Sequence, residues 1–573
     1  METKAISGKF KLTSWGFEGA KLHSFCKQKA YWESHTRVPA DPGIEKNCLL
    51  MSKALRPIRR ALVSVFHKEP ARELVACLHR HGAEIYSTGG TLQFIREMGV
   101  PVKAVEDLTG YPSILGGRVK TLHPAVFGGI LARREHESDP AELEQYQIPA
   151  FDVVVVDLYP FEQTLAEGVS HEAIIEKIDI GGISLIRAAA KNHLDVLVVP
   201  APEYFSGAVQ RIDQGGGATS LEDRQQFAAA AFDVSSHYDT AIYAYLGGDL
   251  VKSDGTGGDM MKVELPLPFK QSIRESTVLR YGENPHQLGR YYGDLGAMFE
   301  QLHGKALSYN NLLDIDAALQ VMEGRTGNCF AIIKHTNVCG MAVRDSLSDA
   351  WEAALSGDPV SAFGGILIAN RNITETVAYA INELFFEVLI APGFDDKALE
   401  VLRRKKNRIL LKRRDADLPD SGFRSVLNGV LWQTADMEEV MPEQWTHPTK
   451  KRPEKGEEQD LLFANWIVRH LKSNAIALVK DQKLIGTGMG QTSRVDALNH
   501  AIAKATAMGH SLQGAVMASD AFFPFPDCVE IAHQSGITAV IQPGGSVRDQ
   551  ESTDFCDRAG MAMVFTGKRH FKH

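Results

Sequence analysis

The sequence predicts an α/β protein of two units, and three observations carry that expectation. From Arg60 onward, short apolar runs alternate with helical segments, the pattern of a parallel, doubly wound sheet. The stretch 247–268, GGDLVKSDGTGGDMMKVELPLP, is rich in Gly, Asp and Pro and lacks a period, as a linker does. Beyond it, AIIKHTNVCG (331–340) followed by SAFGGILIAN is echoed by SNAIALVKDQKLIGTGMGQTSR (473–494) followed by AVMASDAFFPFPD and TAVIQPGG. Each half runs from apolar strand to polar tip, then helix, then strand, which reads as a duplicated α/β arrangement.

Residues 1–50 mix Lys, Ser, aromatic residues and Gly without a period. They are expected to be either an extension without regular structure or a stretch ahead of a true start at Met51. The first domain then covers 51–246. Within it ALVSVF (61–66) is a buried strand, 69–81 an amphipathic helix, AEIYSTGGT (83–91) a strand entering a turn, LQFIREMG a helix and VPVKAV a strand. FDVVVVDLYPF (151–161) is a further strand, ISLIRAAAKN (183–192) a helix, and VLVVP the strand after it. The second region covers 269–573. Its basic run RRKKNRILLKRR (403–414) reads as a solvated helix end plus an edge strand.

Composition narrows the function classes. A chain of 573 residues exceeds what one hydrophobic core supports. Its hydrophobic fraction of 44% and charged fraction of 23% are those of a soluble globular protein. The net charge of -9 offers no global attraction for nucleic acid or membrane, so an anionic ligand must be held locally. Seven scattered Cys without a CxxC pair argue against a disulfide framework or a zinc site and place the chain in reducing cytoplasm. No apolar stretch approaches the roughly 18 residues of a membrane span.

Several motifs point to chemistry. AIIKHTNVCG opens a buried strand directly into Lys334, His335, Thr336 and Asn337, and a strand's carboxyl end is the usual address of a site in an α/β domain. STGGT, Ser87 to Thr91, follows a strand and precedes a helix, so its amides and hydroxyls suit a phosphate. The helix dipole supplies only roughly 0.3–1 kcal/mol there, and Lys68, Arg118, Lys120 and His123 are the cations at hand. Asp179 in IDIGG is either a proton-transfer group or the cap of the helix that carries Lys191. LRYGENPHQ (279–287), SYNNLLD (308–314), GMGQTSR (488–494) and SDAFFPFPD (519–527) add polar and aromatic loops that suit a planar, anionic ligand.

Together STGGT, GGRVKTLHP, DLYPF, IDIGGISLIRAAAKN, LRYGENPHQ, KHTNVCG, SAFGGI, SDAFFPFPD, IQPGGS and FTGKRHF closely resemble, in this order, the family of bifunctional purine-biosynthesis proteins. These join phosphoribosylaminoimidazolecarboxamide (AICAR) formyltransferase to IMP cyclohydrolase. The resemblance spans 60–573. It implies a methylglyoxal-synthase-like N-terminal domain that closes the ring of formylated AICAR, and two cytidine-deaminase-like units that transfer the formyl group from 10-formyltetrahydrofolate. It also implies a homodimer with transferase sites at the subunit interface; composition leaves a cytoplasmic chain without a nucleic-acid or membrane partner, and no metal is expected in the chemistry. The deaminase zinc signature, HxE with PCxxC, is absent.

Carried over by matching motif, the resemblance makes Lys334 and His335 the transfer pair. Arg280 and Tyr281 would hold the nucleotide, Asn311 and Asn474 would lie near the reacting groups, Arg494 would meet phosphate, and Phe522 and Phe523 would line the folate pocket. In the first domain Lys120, Tyr159, Asp179 and Lys191 would be catalytic, while Ser64, Lys68, Ser87, Thr88, Gly89, Gly90, Thr91, Arg118 and Thr121 would bind phosphate and ribose. Four positions depart from the family pattern. Phe66 and His67 stand within what is usually SVSDK, Asp157 replaces a common Asn, and Val338 replaces the Pro of KHTNPCG. Two rival readings are a Cys339–His335 hydrolase and an N-terminal domain that senses a nucleotide without catalysis.

Overall fold

Five short runs of β-branched and apolar residues pair side by side in the first unit, and every pairing is parallel. The computed structural model describes residues 55–248 and 268–573. The 1–50 extension and most of the 247–268 linker lie outside the described residues. The chain divides into two compact units, Met1–Ser272 and Ile273–His573.

In the first unit the strands are β1 (Arg60–Ser64), β2 (Glu84–Ser87), β3 (Val102–Ala104), β4 (Val153–Val156) and β5 (Leu197–Val199), in sheet order β3-β2-β1-β4-β5. The chain winds outward from β1 through β2 to β3, then returns to build β4 and β5 on the other side. The order therefore reverses between β1 and β4, and a ligand crevice forms outside the carboxyl ends of strands at such a point. Helices α1 (Arg72–Arg80), α2 (Gly89–Glu97), α3 (Pro124–Leu131), α4 (Ile180–Lys191), α5 (Phe205–Gln214) and α6 (Leu221–Gly248) cover the sheet. Val153 and Val155 pack with Ala61 and Val63 in one core, and Val154 and Val156 with Leu62 in the other. That explains why β4 is apolar at every position.

The second unit is built on an eleven-stranded sheet. Its strands are β6 (Phe299–His303), β7 (Asn328–Lys334), β8 (Asn337–Arg344), β9 (Ile366–Ala369), β10 (Val388–Ala391) and β11 (Ile409–Arg413), then β12 (Ile476–Lys480), β13 (Lys483–Gly488), β14 (Val516–Ser519), β15 (Ala539–Gln542) and β16 (Ala562–Phe565). The order β6-β11-β10-β9-β7-β8-β13-β12-β14-β15-β16 repeats one connectivity about its middle. In each half a hairpin (β7–β8, β12–β13) gives its first strand to an antiparallel neighbour (β9, β14), and two parallel strands follow. A long helix precedes each hairpin, α7 (Tyr309–Met322) and α8 (Lys455–Arg469). Alternation sends Phe330 and Ile332 of β7 to one core and Ala331 and Ile333 to the other. The predicted order of strand, polar tip and helix thus gains a return strand, because the tip is only two residues long. Among the described residues, no helix is long and apolar enough to cross a membrane.

Candidate active sites

A cavity of about 1010 Å³ opens in the first unit at the β1/β4 reversal. Ser64 and Val65 after β1 and Asp157 and Tyr159 after β4 line it, together with Lys68, Thr88, Gly90, Thr91, Arg118, Lys120, Thr121, Lys177 and Asp179. Helix α2 begins here on Thr88, whose backbone is extended and whose side chain makes no cap bond. The amides of its first turn are therefore left for an anion. The two glycines of STGGT have a specific use. A Cβ on Gly90 would stand 3.1 Å from Lys68 Cε, and one on Gly89, at φ +55°, would stand 2.9 Å from Lys120 Nζ. Both ammonium groups are thus seated against the helix N-terminus, where cation and dipole act together.

The hydroxyls of this motif are already engaged. Ser87 is buried and donates to Val63 O at 2.7 Å, Thr88 donates to Glu106 at 2.9 Å, and Thr91 Oγ1 donates to Val65 O at 2.9 Å. Backbone N–H groups and lysines, rather than Ser87, are what the fold offers a phosphate. Ser87 and Gly89 do not line the cavity. Arg118 is paired with Glu176 at the exposed rim.

Asp179 caps α4 by accepting Gly182 N–H at 2.7 Å and also lines the cavity. The carboxylate that caps the helix is thus also one that faces the cavity. Burial pushes its carboxyl above the usual carboxylate range despite that hydrogen bond, and burial with the Asp179 charge raises the Tyr159 phenol. The fold does not bring Lys191 to this cavity. It sits in the last turn of α4 and outside the cavity, about 17 Å along the helix from the Asp179 end at 1.5 Å per residue. Lys177 was missed, although the sequence places it two residues before Asp179.

In the second unit Lys334 pairs with Asn337 across a two-residue turn, and both central residues have positive φ, His335 at 51° and Thr336 at 62°. A β-branched residue rarely adopts this backbone, and strained positions of this kind cluster at functional sites. Three contacts hold it. Thr336 N–H donates to Asp314 Oδ1 at 2.6 Å, Asn337 Nδ2 to His335 O at 2.8 Å, and Lys334 Nζ to Phe363 O at 2.8 Å. The His335 side chain is left exposed at the tip.

Helix α7 gathers this neighbourhood. Asn310 Nδ2 donates to Glu283 O at 3.2 Å in the RYGENPHQ loop, and Asp314 lies one turn further on the same face. Asp314 is the turn-holding residue that SYNNLLD concealed, and its i, i+4 spacing from Asn310 was the available signal. Arg280 is exposed, its guanidinium 5.5 Å from the Tyr281 ring centre. Asn311 is buried in a capping box with Ser308 and donates to Glu387 at 3.1 Å, which assigns it to the helix start.

Two further expected residues are placed in the interior. Phe523 is fully buried in the core, so it lines no pocket, and Phe522 is the exposed aromatic of that loop. Arg494 is buried, paired with Asp520 and bonded to Ser519 at 2.8 Å and Asn474 Oδ1 at 2.8 Å. This network holds Arg494 and Asn474 to each other. Cys339 is also buried, its thiol pushed up to about 12 by burial and set against Ile332 O at 3.4 Å. A Cys–His hydrolase has no nucleophile here.

Comparison with known proteins adds family to geometry. The model of the AICARFT/IMPCHase bienzyme matches residues 189–504, and that of the MGS-like domain matches 71–184. The bifunctional purine biosynthesis protein PurH of Bacteroides thetaiotaomicron is 55% identical over 91% of this chain and 100% of its own length. The PurH proteins of Chloroflexus aurantiacus and Aquifex aeolicus are 46% and 45% identical, each over 90% of this chain and over 98% and 100% of their own lengths.

Proposed function

The chain belongs to the AICARFT/IMPCHase bienzyme family and catalyses the last two steps of IMP synthesis, and from that premise we propose how its residues divide the work. Formyl transfer falls to the β7–β8 turn. The AICAR 5-amino group is delocalised into an electron-poor ring and is a weak nucleophile, so a positioned base worth roughly 10²–10⁴-fold is needed. His335 takes the proton from that nitrogen as it bonds to the formyl carbon. Lys334 stabilises the charge and delivers a proton to the folate nitrogen as the carbon–nitrogen bond breaks. Arg280 and Tyr281 hold the nucleotide, and Phe522 offers a face to the pterin of 10-formyltetrahydrofolate.

Ring closure falls to the first-unit cavity. It is intramolecular, so the enzyme chiefly holds the formyl carbon against the carboxamide nitrogen. Lys68, Lys120 and the α2 amides bind the phosphate, and Asp179 and Tyr159 handle the protons of water loss. The observation that carries this assignment is that each compact unit presents one such constellation, a cationic helix start in one and a strained Lys-His turn in the other.

A homodimer is supported by the two-stranded hairpin Ser421–Val426 and Gly429–Thr434, where Leu427, Val430 and Leu431 are exposed, because an isolated hairpin is marginal in water. The five described cysteines are free and buried, which supports cytoplasm as the compartment.

The test is an assay with AICAR and 10-formyltetrahydrofolate that resolves tetrahydrofolate, formylated AICAR and IMP. Lys334→Ala and His335→Ala should stop tetrahydrofolate release yet close added formylated AICAR at the wild-type rate. Tetrahydrofolate release surviving in both variants would remove the turn from the chemistry.

A further inference from the structure

Phe66 is a large aromatic side chain in a cavity otherwise rich in glycines, hydroxyls and charges, and core formation does not account for it, since it is 39% exposed. Its position is fixed from two sides. Buried Asp157, at the end of β4, accepts the Phe66 amide, the His67 amide at 3.0 Å and His67 Nδ1 at 2.8 Å. The ring also meets Tyr159 edge to face, with centroids 5.4 Å apart and an interplanar angle of 76°. Lys177 Nζ stands 5.9 Å from the Phe66 ring centre and 5.7 Å from that of Tyr159. Asp157 thereby ties together the two strand ends between which the cavity opens. The seat of Lys68, Lys120 and the α2 amides takes a ligand's anionic end, and the Phe66–Tyr159 pair offers flat aromatic surface within the same cavity.

We propose that Phe66 is a specificity-determining residue of this pocket, receiving the planar base of the nucleotide, and that Asp157 and His67 are the positioning residues that hold it there. The inference rests on the reading that this unit closes the nucleotide's ring. His67 does not line the cavity, so it acts through Asp157 and not on the ligand.

The test measures closure of added formylated AICAR by the full chain and its inhibition by IMP and by ribose 5-phosphate, which shares the anionic end and lacks the base. Phe66→Ala should weaken IMP by roughly ten- to a hundredfold, the worth of one aromatic stacking contact, and leave ribose 5-phosphate within twofold. Phe66→Trp should restore IMP. His67→Leu should lose part of the same preference, and His67→Asn, which keeps a donor toward Asp157, should regain it, with KM moving more than kcat. Far-UV circular dichroism and denaturation of each variant report whether the first unit is folded. Equal weakening of both inhibitors in Phe66→Ala, or of neither, overturns the proposal. A wild-type chain that does not close the ring removes the reading beneath it instead.

Discussion

Asp314 Oδ1 accepts the backbone N–H of Thr336 at 2.6 Å, so a carboxylate on α7 sets the turn that carries Lys334 and His335. The second half of the sheet repeats the wiring. Asp460 on α8 accepts the Asp481 N–H at 2.8 Å, the turn Asp481–Gln482 again has positive φ at both residues, and Lys480 Nζ donates to Gln513 O at 2.6 Å as Lys334 does to Phe363 O at 2.8 Å. Only the first copy places an imidazole at the tip.

Removing that acceptor should disable the turn without unfolding the unit. Asp314→Ala leaves a polar N–H without its partner at a cost of about 1–3 kcal/mol, and the misplaced His335 should lower the formyl-transfer kcat by roughly a hundredfold. Asp314→Asn keeps an acceptor oxygen and should retain most activity. Rates of tetrahydrofolate release for the two variants decide it, with closure of added formylated AICAR as the unaffected control.

Substituting the glycines of α2 should separate two effects. Gly90→Ala crowds Lys68 Cε at 3.1 Å and should raise the KM for formylated AICAR several-fold with little loss of stability. Gly89→Ala meets Lys120 Nζ at 2.9 Å and also forces an L residue to φ +55°, which adds about 1–2 kcal/mol of strain. Steady-state kinetics beside chemical denaturation reads both, and equal effects of the two substitutions would discount the lysine seat.

The raised Asp179 carboxyl sets a pH signature for ring closure. Burial keeps the group protonated to a higher pH than an ordinary carboxylate, so a step that needs the ionised form should fall away on acidification before the usual carboxylate range is reached. The pH profile of closure should show that limb in wild type, and Asp179→Asn should abolish it along with roughly 10²–10⁴-fold of the rate.

His470 predicts acid sensitivity of the second unit. Burial among Arg325, Arg469, Lys572 and His570 drives its pKa well below the ordinary value, and its Nε2 has no hydrogen-bond partner among the described residues. The folded state then binds fewer protons than the unfolded chain. Its contribution is complete above the unfolded value near 6.5 and falls as pH drops toward the folded value, by up to about 1.4 kcal/mol per pH unit. Denaturation midpoints of the second unit between pH 7.5 and 5.5 should show this slope, and His470→Gln should flatten it.

Much of this was legible in the sequence because periodicity reports burial. The all-apolar β4, the Gly-rich start of α2 and the repeated strand order were all visible as patterns. What stayed hidden were partners far apart in sequence. Nothing local to Phe66 and His67 reveals that Asp157, about ninety positions on, would bind both, and Lys191 shares a helix with Asp179 without sharing its end. Likewise, the alternation in SDAFFPFPD does not show which phenylalanine turns inward. The Lys-His turn escaped detection as a hairpin because it lacks the Asn-Gly type of pair that normally marks one.

The long sheet of the second unit carries a built-in fault line. Its two halves share a single ladder pairing, Ala342 with Lys483, beside the Val343 N–H bond to Gln482 O and the Arg344 guanidinium bond to Asp481 O at 2.7 Å. Hydrogen exchange should therefore run unevenly across the sheet. The inner strands of each half, doubly laddered, should protect their amides to the limit of global unfolding, while the amides along the seam open first.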